Sequence, residues 1–540
     1  MKRFRMMLLT ILFCVMGTNM IMGQQMPAPQ IIPEPVSVQV VNGKFTVNPE
    51  TVIKASGAGV DNSVNYLREY ISNCYGLSLE QSKKKAKANC IVLEIKKDKK
   101  AVEGAYSLSV SPHTITITGY NESGLFYGVQ TLIQLLPVDS KDKNLNIQAI
   151  VIEDEPRFEY RGMHLDVVRH IFPIEYIKKY IDYIALHKMN YFHWHLTDDQ
   201  GWRMESKSHP RLNEYGAYRE STIIGVFPGT GVDHTRYGGY YTIEEMKEVV
   251  EYATKRYVTV VPEIDVPGHS MAILAAYPEF GTEPDKETKP ATTWNIYNRQ
   301  NNVLAPREET FQFLEDVFNE LMDVFPGKYI HIGADECAFM WWKQDPLTQQ
   351  FMKEHNMTDE AQVQAYFSKR IHETVSKRGR VALGWDEIID HDAPKDMIPL
   401  VWRDARSAAK AVKDGYYVIQ TPMKYCYLNA KQREDEKDIT YPMAMTSIDK
   451  VYGFELIPEN LAEDEQSRIL GGQGCMWTEY YESPERIDYS VLPRMSALSE
   501  VFWSRKENRD LEKFKVKLQS QFLRYDLWGA HYCDFERRAR

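Results

Sequence analysis

Residues 328–337 read KYIHIGADEC, and this stretch changes abruptly from apolar to acidic. The segment 329–332 is typical of a short buried strand. Gly333 and Ala334 leave space after it, and two carboxylates, Asp335 and Glu336, stand side by side where the strand must end. Adjacent acids at the rim of an apolar strand repel each other, so packing alone gives little reason for them. One acid could cap a helix while the other faces solvent. The functional alternative is a catalytic pair with one acid protonated and one ionised.

The same pattern of a short apolar run followed by a polar or aromatic cluster recurs through residues 155–503. The eight runs are 160–165, 190–195, 258–264, 329–332, 381–384, 399–402, 417–420 and 469–476. Helical patterns separate them, such as the capping box that begins at Thr242 and the apolar stripe of helical period in 174–184. Eight strand–helix units with strands that are apolar on both faces predict an α/β fold, a (β/α)8 TIM barrel.

The chain therefore divides into four predicted segments. Residues 1–23 are a signal peptide, 27–154 a small N-terminal α+β domain, 155–503 the catalytic barrel and 504–540 a C-terminal closing helix with Phe514, Leu518 and Phe522 on one face. The link 421–468 between the last two strand runs is longer than a usual connection, which indicates a functional loop.

The first residues predict export from the cell. A positive stretch, 1–5, precedes an apolar run that ends near Gly23, as in a secretory signal peptide. The mature chain is then secreted, with the periplasm as the expected location. A lipoprotein anchored at Cys14 is disfavoured because Phe13 is too large for the position before a lipidated cysteine. No other run is long and apolar enough to span a membrane. Whether Cys74 and Cys90 form a bridge is left open.

Composition excludes some classes of partner. The 540 residues carry a formal net charge of −10, with 43% hydrophobic and 26% charged residues. An acidic soluble chain argues against nucleic acid or an anionic membrane as the main partner. The 33 Tyr and 10 Trp are a surplus of flat amphipathic side chains, and a fraction of them would suit stacking on sugar rings.

The polar clusters after the strand runs predict a carbohydrate site, because the chemistry of such barrels lies at the carboxyl ends of the strands. These clusters are Asp166 with Arg169, 195–203, 263–269, 335–336, 385–387, 402–403, 425–429 and 477–479. Several carboxylates, three Trp and one or two Tyr would meet at one mouth. Aromatic faces bind the C–H surfaces of sugars, and acids bind hydroxyls and the glycosidic oxygen.

A metal-dependent hydrolase is the competing class of enzyme. His193 and His195 form a His-x-His pair, and His269, His331 and Asp335 are further ligands of the right type. However, His193 and His331 lie inside their strands, where a core histidine bonded to a neighbour is the simpler interpretation. We therefore predict no metal and no other cofactor.

Five motifs resemble glycoside hydrolase family 20, the β-N-acetylhexosaminidases. They are RGMHLD at 161–166, HLTDDQGWR at 195–203, PEIDVPGHS at 262–270, HIGADE at 331–336 and WTE at 477–479. The resemblance covers nearly all of the mature chain, including the small domain before the barrel. It implies an exo-acting, retaining enzyme that removes terminal N-acetylglucosamine or N-acetylgalactosamine through an oxazolinium intermediate.

The resemblance also implies roles for single residues. Glu336 would be the general acid/base, and Asp335 would orient and polarise the 2-acetamido group of the substrate. The remaining implied roles are Arg161 for the 3- and 4-hydroxyls, Glu479 as a further hydroxyl partner, Asp198 and Asp199 in the binding motif, the Asp265–His269 pair in support of Glu336, Trp385, Trp402 and Trp477 as pocket walls, and Tyr427 as donor to the acetamide oxygen. Asn429 departs from the pattern, since relatives often have Asp there as a partner of the 6-hydroxyl.

The implied partners are oligosaccharides or glycoconjugates that end in N-acetylhexosamine. A catalytically inactive sugar-binding protein on the same barrel is an alternative from a different class, but every expected catalytic position is filled by the expected chemistry. The gluco or galacto preference, the natural glycan, the linkage and the assembly, including a homodimer, are left open by the sequence.

Overall fold

The computed structural model describes residues 29–82, 88–138, 143–294, 301–390 and 393–536. The predicted signal peptide and Cys14 lie outside these residues. Within the described ranges, no helix combines the length and the apolarity that a membrane crossing needs. The Cys74 thiol is free, so it forms no bridge with Cys90.

The N-terminal unit is a mixed seven-stranded sheet with two helices, Asp61–Tyr75 and Glu122–Leu135. Its strands, in chain order, are Ser37–Val47, Val52–Ser56, Glu80–Gln81, Cys90–Ile95, Tyr106–Val110, Thr114–Gly119 and Leu145–Asp154. The second helix begins where the Asn121 side chain accepts a hydrogen bond from the Gly124 amide, which is the usual role of Asn at a helix start. Asp154, at the end of the sheet, binds Lys188 Nζ at 2.9 Å and Trp503 Nε1 at 2.9 Å, and so ties the sheet to the following domain.

The second unit is a closed barrel of eight parallel strands, as predicted. The strands are β1 (Tyr160–Asp166), β2 (Tyr191–His195), β3 (Thr259–Val266), β4 (Tyr329–Gly333), β5 (Val381–Trp385), β6 (Ile398–Val401), β7 (Val418–Gln420) and β8 (Ile469–Gly474). Each of the eight predicted runs forms one of them. Strand β8 pairs with β1 and closes the barrel, with Gly471 opposite Tyr160. A Cβ on Gly471 would lie 1.8 Å from the Tyr160 carbonyl oxygen, so this closure requires glycine.

Helices and short hairpins surround the barrel. The helices are Ile174–Leu186, Ile243–Thr254, Met271–Ala276, Glu308–Val324, Met340–Gln344, Pro346–Glu354, Ala361–Lys377, Glu387–Asp390, Ala405–Lys413, Met423–Cys426, Ile448–Tyr452, Glu463–Gln466, Pro484–Val491, Arg494–Trp503 and Leu511–Leu527. Single turns of 3-10 or π type are Leu212–Gly216, Pro278–Phe280 and Lys506–Asn508, and the hairpins pair Thr197–Asp198 with Gly201–Trp202 and Tyr218–Arg219 with Tyr237–Gly238. Thr242 and Glu245 form the predicted capping box. The predicted face of the last helix is buried at Phe514, Leu518 and Phe522.

The inside of the barrel has three layers, and the uppermost carries the site. An apolar cluster fills the amino-terminal end, with Tyr160, Val261, Tyr329, Leu383, Leu400 and Ile419 among its members. A polar layer of histidines around Glu263 lies above it and is fully buried. The cavity described below opens at the carboxyl ends of the strands. The first layer holds the barrel together, and the second connects it to the side chains of the site.

Candidate active site

The turn that follows β4 brings Asp335 and Glu336 to the same cavity. Neighbouring residues on an extended strand point to opposite faces. Here the backbone leaves the strand through left-handed conformations, with φ of 68° at Gly333, 71° at Ala334 and 41° at Glu336. The Ala334 carbonyl oxygen is held by the buried Gln364 amide at 2.7 Å. The turn therefore changes the direction of the chain enough to point both acids the same way.

Asp335 and Glu336 share one histidine. His269 Nε2 lies 3.7 Å from Asp335 Oδ2 and 3.7 Å from Glu336 Oε2. One ligand-type atom from each of the three side chains lies within 4.8 Å of the other two. The side chains of Asp335 and Glu336 are 15% and 23% exposed, so both acids reach the cavity rather than the core. An imidazole between two carboxylates can stabilise negative charge on either of them.

The other nitrogen of His269 faces two further carboxylates. His269 Nδ1 lies 3.1 Å from Asp198 Oδ1 and 3.3 Å from Asp199 Oδ2, and Asp198 is its hydrogen-bonded carboxylate. Asp265, which was predicted to support Glu336 together with His269, has a carboxylate oxygen within 4.8 Å of a His269 ring nitrogen. Asp265 also faces Asp335 and forms a side-chain hydrogen bond with it. Burial, together with the Asp335 charge, raises the pKa of Asp265 well above its usual range, so Asp265 is the protonated partner of this pair.

The protonation of Asp335 follows from its surroundings. Burial raises its pKa to about 6, the His269 imidazole opposes that shift, and the charges of Glu336 and Glu263 add to it. Asp335 is therefore ionised at neutral pH but close to its titration point.

The structure places Arg161, the arginine predicted to bind the sugar hydroxyls, outside the cavity. Arg161 is the second residue of β1, about 17 Å along the strand from Asp166 at its carboxyl end. Its guanidinium binds the carbonyls of Phe158 and Lys188, away from the cavity. The prediction for Arg161 is thus wrong, because the family motif begins at the amino end of the strand.

Arg169 lines the cavity in its place. It lies 2.7 Å from Asp198 Oδ2, 3.2 Å from Asp166 Oδ2 and 2.9 Å from Gln200 Oε1. Its guanidinium stacks 5.2 Å from the centre of the Trp477 ring. Burial would raise the pKa of Asp198, but Arg169 and His269 hold it well below its usual range. Asp198 therefore links Arg169 to the histidine that faces the acid pair.

Asp199 is one step further from the cavity than predicted. It does not line the cavity but accepts hydrogen bonds from the Met271 amide at 3.2 Å and from Asn301 Nδ2 at 2.7 Å. Asp199 thus fixes the loop that carries His269. The adjacent Asp198 does line the cavity.

Three of the four predicted aromatic residues form the wall of the cavity. Trp402, Tyr427 and Trp477 line it, whereas Trp385 lies beneath, 5.7 Å from the Trp477 ring and almost fully buried. The Trp402 Nε1–H donates to Glu387 Oε2 at 3.1 Å, and the Trp385 Nε1–H donates to Glu263 Oε1 at 2.9 Å. The indoles of Trp402 and Trp385 are therefore each held by a carboxylate.

The remaining wall is polar. Asn429 and Glu479 line it, and neither Asn429 Oδ1 nor Glu479 Oε2 has a protein partner among the described residues. Burial raises the pKa of Glu479 to about 7, although Arg169 opposes the shift. Unpartnered oxygens in such a wall are suited to hydroxyl groups of a ligand.

Sequence reasoning did not include two further lining residues, Met423 and Tyr441, among the site residues. Both lie in 421–468, the link predicted to be a functional loop, and Tyr427 and Asn429 come from it too. The cavity is open to solvent, and twelve described side chains line it.

Histidines and acids also come together below the cavity, where a metal ion is conceivable by ligand type. His193 Nε2 and His331 Nδ1 each lie 3.0 Å from a Glu263 oxygen, and all three side chains are fully buried. Each of these histidines also has a hydrogen bond to a neighbour: His193 Nδ1 lies 3.0 Å from Gln473 Nε2, and the Gly333 N–H donates to His331 Nδ1 at 3.1 Å. Both lie inside their strands, as the core interpretation expects. In the cavity, His269, Asp335 and Glu336 also have ligand-type atoms within 4.8 Å of one another.

Comparisons with known proteins agree with this geometry. Residues 158–506 match the model of the glycosyl hydrolase family 20 catalytic domain, and residues 28–155 match that of domain 2 of the same family. A β-hexosaminidase of Porphyromonas gingivalis is 35% identical over 93% of this chain, which spans 64% of that protein, less than two thirds of its length. A β-hexosaminidase of Akkermansia muciniphila is 34% identical over 77% of this chain and 82% of its own length.

A solved structure covers both domains. The family 20 exo β-N-acetylglucosaminidase of Vibrio harveyi, in complex with N-acetylglucosamine, is 31% identical, with a TM-score of 0.85 over 94% of this chain and 79% of that one. Because the catalytic-domain match alone spans more than half of the residues and contains every residue of the cavity, the chain belongs to glycosyl hydrolase family 20.

Proposed function

We propose that the protein removes terminal β-linked N-acetylglucosamine or N-acetylgalactosamine from the non-reducing end of glycans, with the acetamido oxygen of the substrate as the nucleophile. The observation that carries this proposal is the pair Asp335 and Glu336, consecutive on one turn, facing one cavity and sharing His269. Two acids placed in this way suit one contact with the acetamido group and one with the leaving oxygen. Family 20 is a recorded exception to the carboxylate nucleophile of retaining glycosidases.

The two steps balance with these residues alone. In the first, the acetamido carbonyl oxygen attacks C1, the bond from C1 to the leaving oxygen breaks, and Glu336 gives its proton to that oxygen. Ionised Asp335 stabilises the positive charge on the acetamido nitrogen of the oxazolinium ion. In the second, water attacks C1, the bond from C1 to the acetamido oxygen breaks, and Glu336 takes the proton of the water.

Exo action follows from the polar end of the cavity. Arginine has five N–H donors, and three of those on Arg169 face Asp166, Asp198 and Gln200, which leaves two for a ligand. With Glu479, they supply donors and an acceptor for the free 3- and 4-hydroxyls of a terminal sugar. Asn429 would bind the 6-hydroxyl without charge. Products from a chito-oligosaccharide should be monomer and a ladder shortened by one unit.

The decisive experiment varies the nucleophile. Replacing the acetyl group of an aryl N-acetyl-β-glucosaminide by mono-, di- and trifluoroacetyl weakens the carbonyl oxygen and leaves the leaving group unchanged. We expect log kcat/KM to fall with each fluorine at constant pH. A flat series, or a glycosyl ester trapped on Asp335 and seen by mass spectrometry, would overturn substrate assistance. Folded protein that releases no phenol from the parent substrate would favour the inactive sugar-binding alternative.

We also propose that the chain is exported by its first 23 residues and acts in the periplasm. The support is the charge and apolar pattern of residues 1–23. Mass spectrometry of the mature N-terminus tests it: a chain that keeps Met1, or one lipidated at Cys14, would contradict it. A homodimer stays a prediction, which light scattering of the mature chain tests.

A further inference from the structure

Glu263 and His195 lie under the cavity and do not line it, yet they are connected to the acid pair. Glu263 is on β3 and His195 is the last residue of β2, and the two face each other in the strand register. Both side chains are fully buried. Burying an ionisable carboxylate and an imidazole costs free energy unless they are paired, so their position needs an explanation beyond packing.

A continuous chain of carboxylates and imidazoles leads from Glu263 to Glu336. His195 Nδ1 lies 2.5 Å from Glu263 Oε2, and His195 Nε2 lies 3.1 Å from Asp198 Oδ2. Asp198 Oδ1 is 3.1 Å from His269 Nδ1, and His269 Nε2 is 3.7 Å from Glu336 Oε2. Both ring nitrogens of each histidine thus face a carboxylate, which fixes the orientation of the ring.

The surroundings of His195 favour its charged form. Burial would lower the pKa of His195, but Glu263, Asp198 and the more distant Asp166 raise it to about 10. The titratable groups that face it are Glu263 on β3, Asp198 in the following hairpin, His164 and Asp166 on β1, and His193 on its own strand. A charged His195 donates to both carboxylates and keeps Asp198 ionised and in place.

Glu263 also holds the floor of the cavity. Its Oε1 accepts the Trp385 Nε1–H at 2.9 Å, and the Trp385 ring lies 5.7 Å from that of Trp477, which lines the cavity. One carboxylate therefore connects the aromatic floor to this chain of carboxylates and imidazoles. A shift of Glu263 would move both parts of the site together.

We infer that His195 and Glu263 are positioning residues for the general acid/base, acting on Glu336 through Asp198 and His269. The inference rests on the proposed role of Glu336. When Glu336 gives up its proton, the new negative charge faces His269, whose own position depends on Asp198. Without His195, Asp198 still contacts Arg169 but loses the hydrogen bond from His195 Nε2. Asp198 then no longer holds His269 at equal distance from Asp335 and Glu336.

Two substitutions at position 195 separate this role from a structural one. The amide nitrogen of asparagine can replace Nδ1, so H195N keeps the contact with Glu263 and loses the one with Asp198. The amide nitrogen of glutamine can replace Nε2, so H195Q keeps the contact with Asp198. H187Q is the matched control, because His187 is also buried but binds the Tyr183 carbonyl and the Ser496 hydroxyl, each at 2.7 Å, and no carboxylate.

The measured quantity is the loss of kcat in each variant on a substrate with a poor leaving group and on one with a good leaving group. General acid catalysis contributes about 10²–10⁴-fold, and an activated 2,4-dinitrophenyl glycoside needs little of it. We expect H195N to lose about 10²-fold in kcat on N,N′-diacetylchitobiose and a few-fold on the activated glycoside, with KM little changed. H195Q should lose about tenfold less than H195N on chitobiose. H187Q should change kcat by the same factor on both substrates.

Three results would overturn the inference: equal losses of H195N on both substrates, equal damage in H195Q and H195N, or a leaving-group effect in H187Q. If H195N does not fold, as judged by circular dichroism, E263Q replaces it and should show the same selective loss. E336Q serves as the reference. If E336Q loses equally on both substrates, the role of Glu336 itself is wrong and the inference fails with it. If E336Q shows the selective loss and H195N does not, only the inference fails.

Discussion

Replacing Arg169 by lysine tests whether the arginine that binds the sugar is the one at the carboxyl end of β1. Lysine keeps a positive charge near Asp166 and Asp198, but one amino group cannot hold both carboxylates and also reach the ligand. The two N–H groups of Arg169 that are left for a ligand are therefore lost. The substitution changes neither Asp335 nor Glu336 and keeps a positive charge next to Asp198.

The magnitude follows from those two donors. A hydrogen bond that involves a charged group contributes about 1.5–3 kcal/mol, so the loss of two corresponds to about 3–6 kcal/mol. At about 1.4 kcal/mol for each factor of ten, kcat/KM should fall by roughly 10²–10⁴-fold. Most of the loss should be in KM, because the contacts to the 3- and 4-hydroxyls are the same in the ground state and the transition state.

Arg161 is the matched control. R161K disturbs hydrogen bonds to the Phe158 and Lys188 carbonyls and to the Tyr127 hydroxyl. It should lower the free energy of unfolding by about 1–3 kcal/mol. Because these bonds lie at the opposite end of the barrel, kcat/KM should stay within about twofold of the native value.

The assay is a cycle of two enzymes and two substrates. Native protein and R169K are compared on an aryl N-acetyl-β-glucosaminide and on its 4-deoxy analogue. If Arg169 binds the 4-hydroxyl, the effect of R169K must shrink on the deoxy substrate, since the contact is already absent. An unchanged effect, or a rise of KM in R161K but not in R169K, would refute the assignment.

Two further predictions concern the acid turn. Because Asp335 must be ionised and its pKa is raised to about 6, kcat/KM should fall below about pH 6. H269N removes the positive charge that opposes this rise, so it should raise the pKa of Asp335 and move the acidic limb of the pH profile to higher pH. An acidic limb at the same pH in H269N would argue against the contact between His269 and Asp335. G333A should abolish most activity and destabilise the fold by about 1–3 kcal/mol, because the new Cβ would lie 1.8 Å from Asp265 Oδ1. G379A is the control, because Gly379 has the same φ of 68° and nothing within 4 Å of the added Cβ. G379A should lower the unfolding temperature but leave the kinetics normal.

The barrel could be predicted from the sequence because its strands are buried on both faces. Such strands appear as short apolar runs, and parallel pairing puts all their carboxyl ends at one mouth. The polar residues after each run were thus expected to meet, and most of them do. The small differences lie at the strand ends, where β3 begins at Thr259 and extends to Val266.

The errors have a physical reason of their own. A motif gives the identity of residues but not which end of the strand they occupy, so the sequence analysis chose Arg161 and not Arg169, the arginine that lines the cavity. The direction of the strand already contained the answer, since Arg161 precedes the apolar part of β1 and Arg169 follows it. The partner of His269 could not be read in the same way. Asp198 and Asp265 both lie near it, and the choice depends on side-chain geometry.

Tyr441 shows a different limit. It lies in an irregular connection without the periodicity that places residues on a strand or a helix. Only the packing of the loop over the mouth of the barrel brings it to the cavity, beside Tyr427 and Asn429. The length of the connection predicted that the loop has a function, but not which of its residues would carry it.

The turn after β4 explains why an Asp–Glu pair stands at the end of a buried strand. On a regular strand the two acids would point to opposite faces, and one would be buried in the barrel. The left-handed conformations of Ala334 and Glu336 cost about 1–2 kcal/mol each, and the buried hydrogen bond from the Gln364 amide to the Ala334 carbonyl oxygen helps to hold the turn in them. Strain of this kind persists only where the surroundings impose it. The local rule for strands is thus broken at the one place where two acids must act on the same substrate.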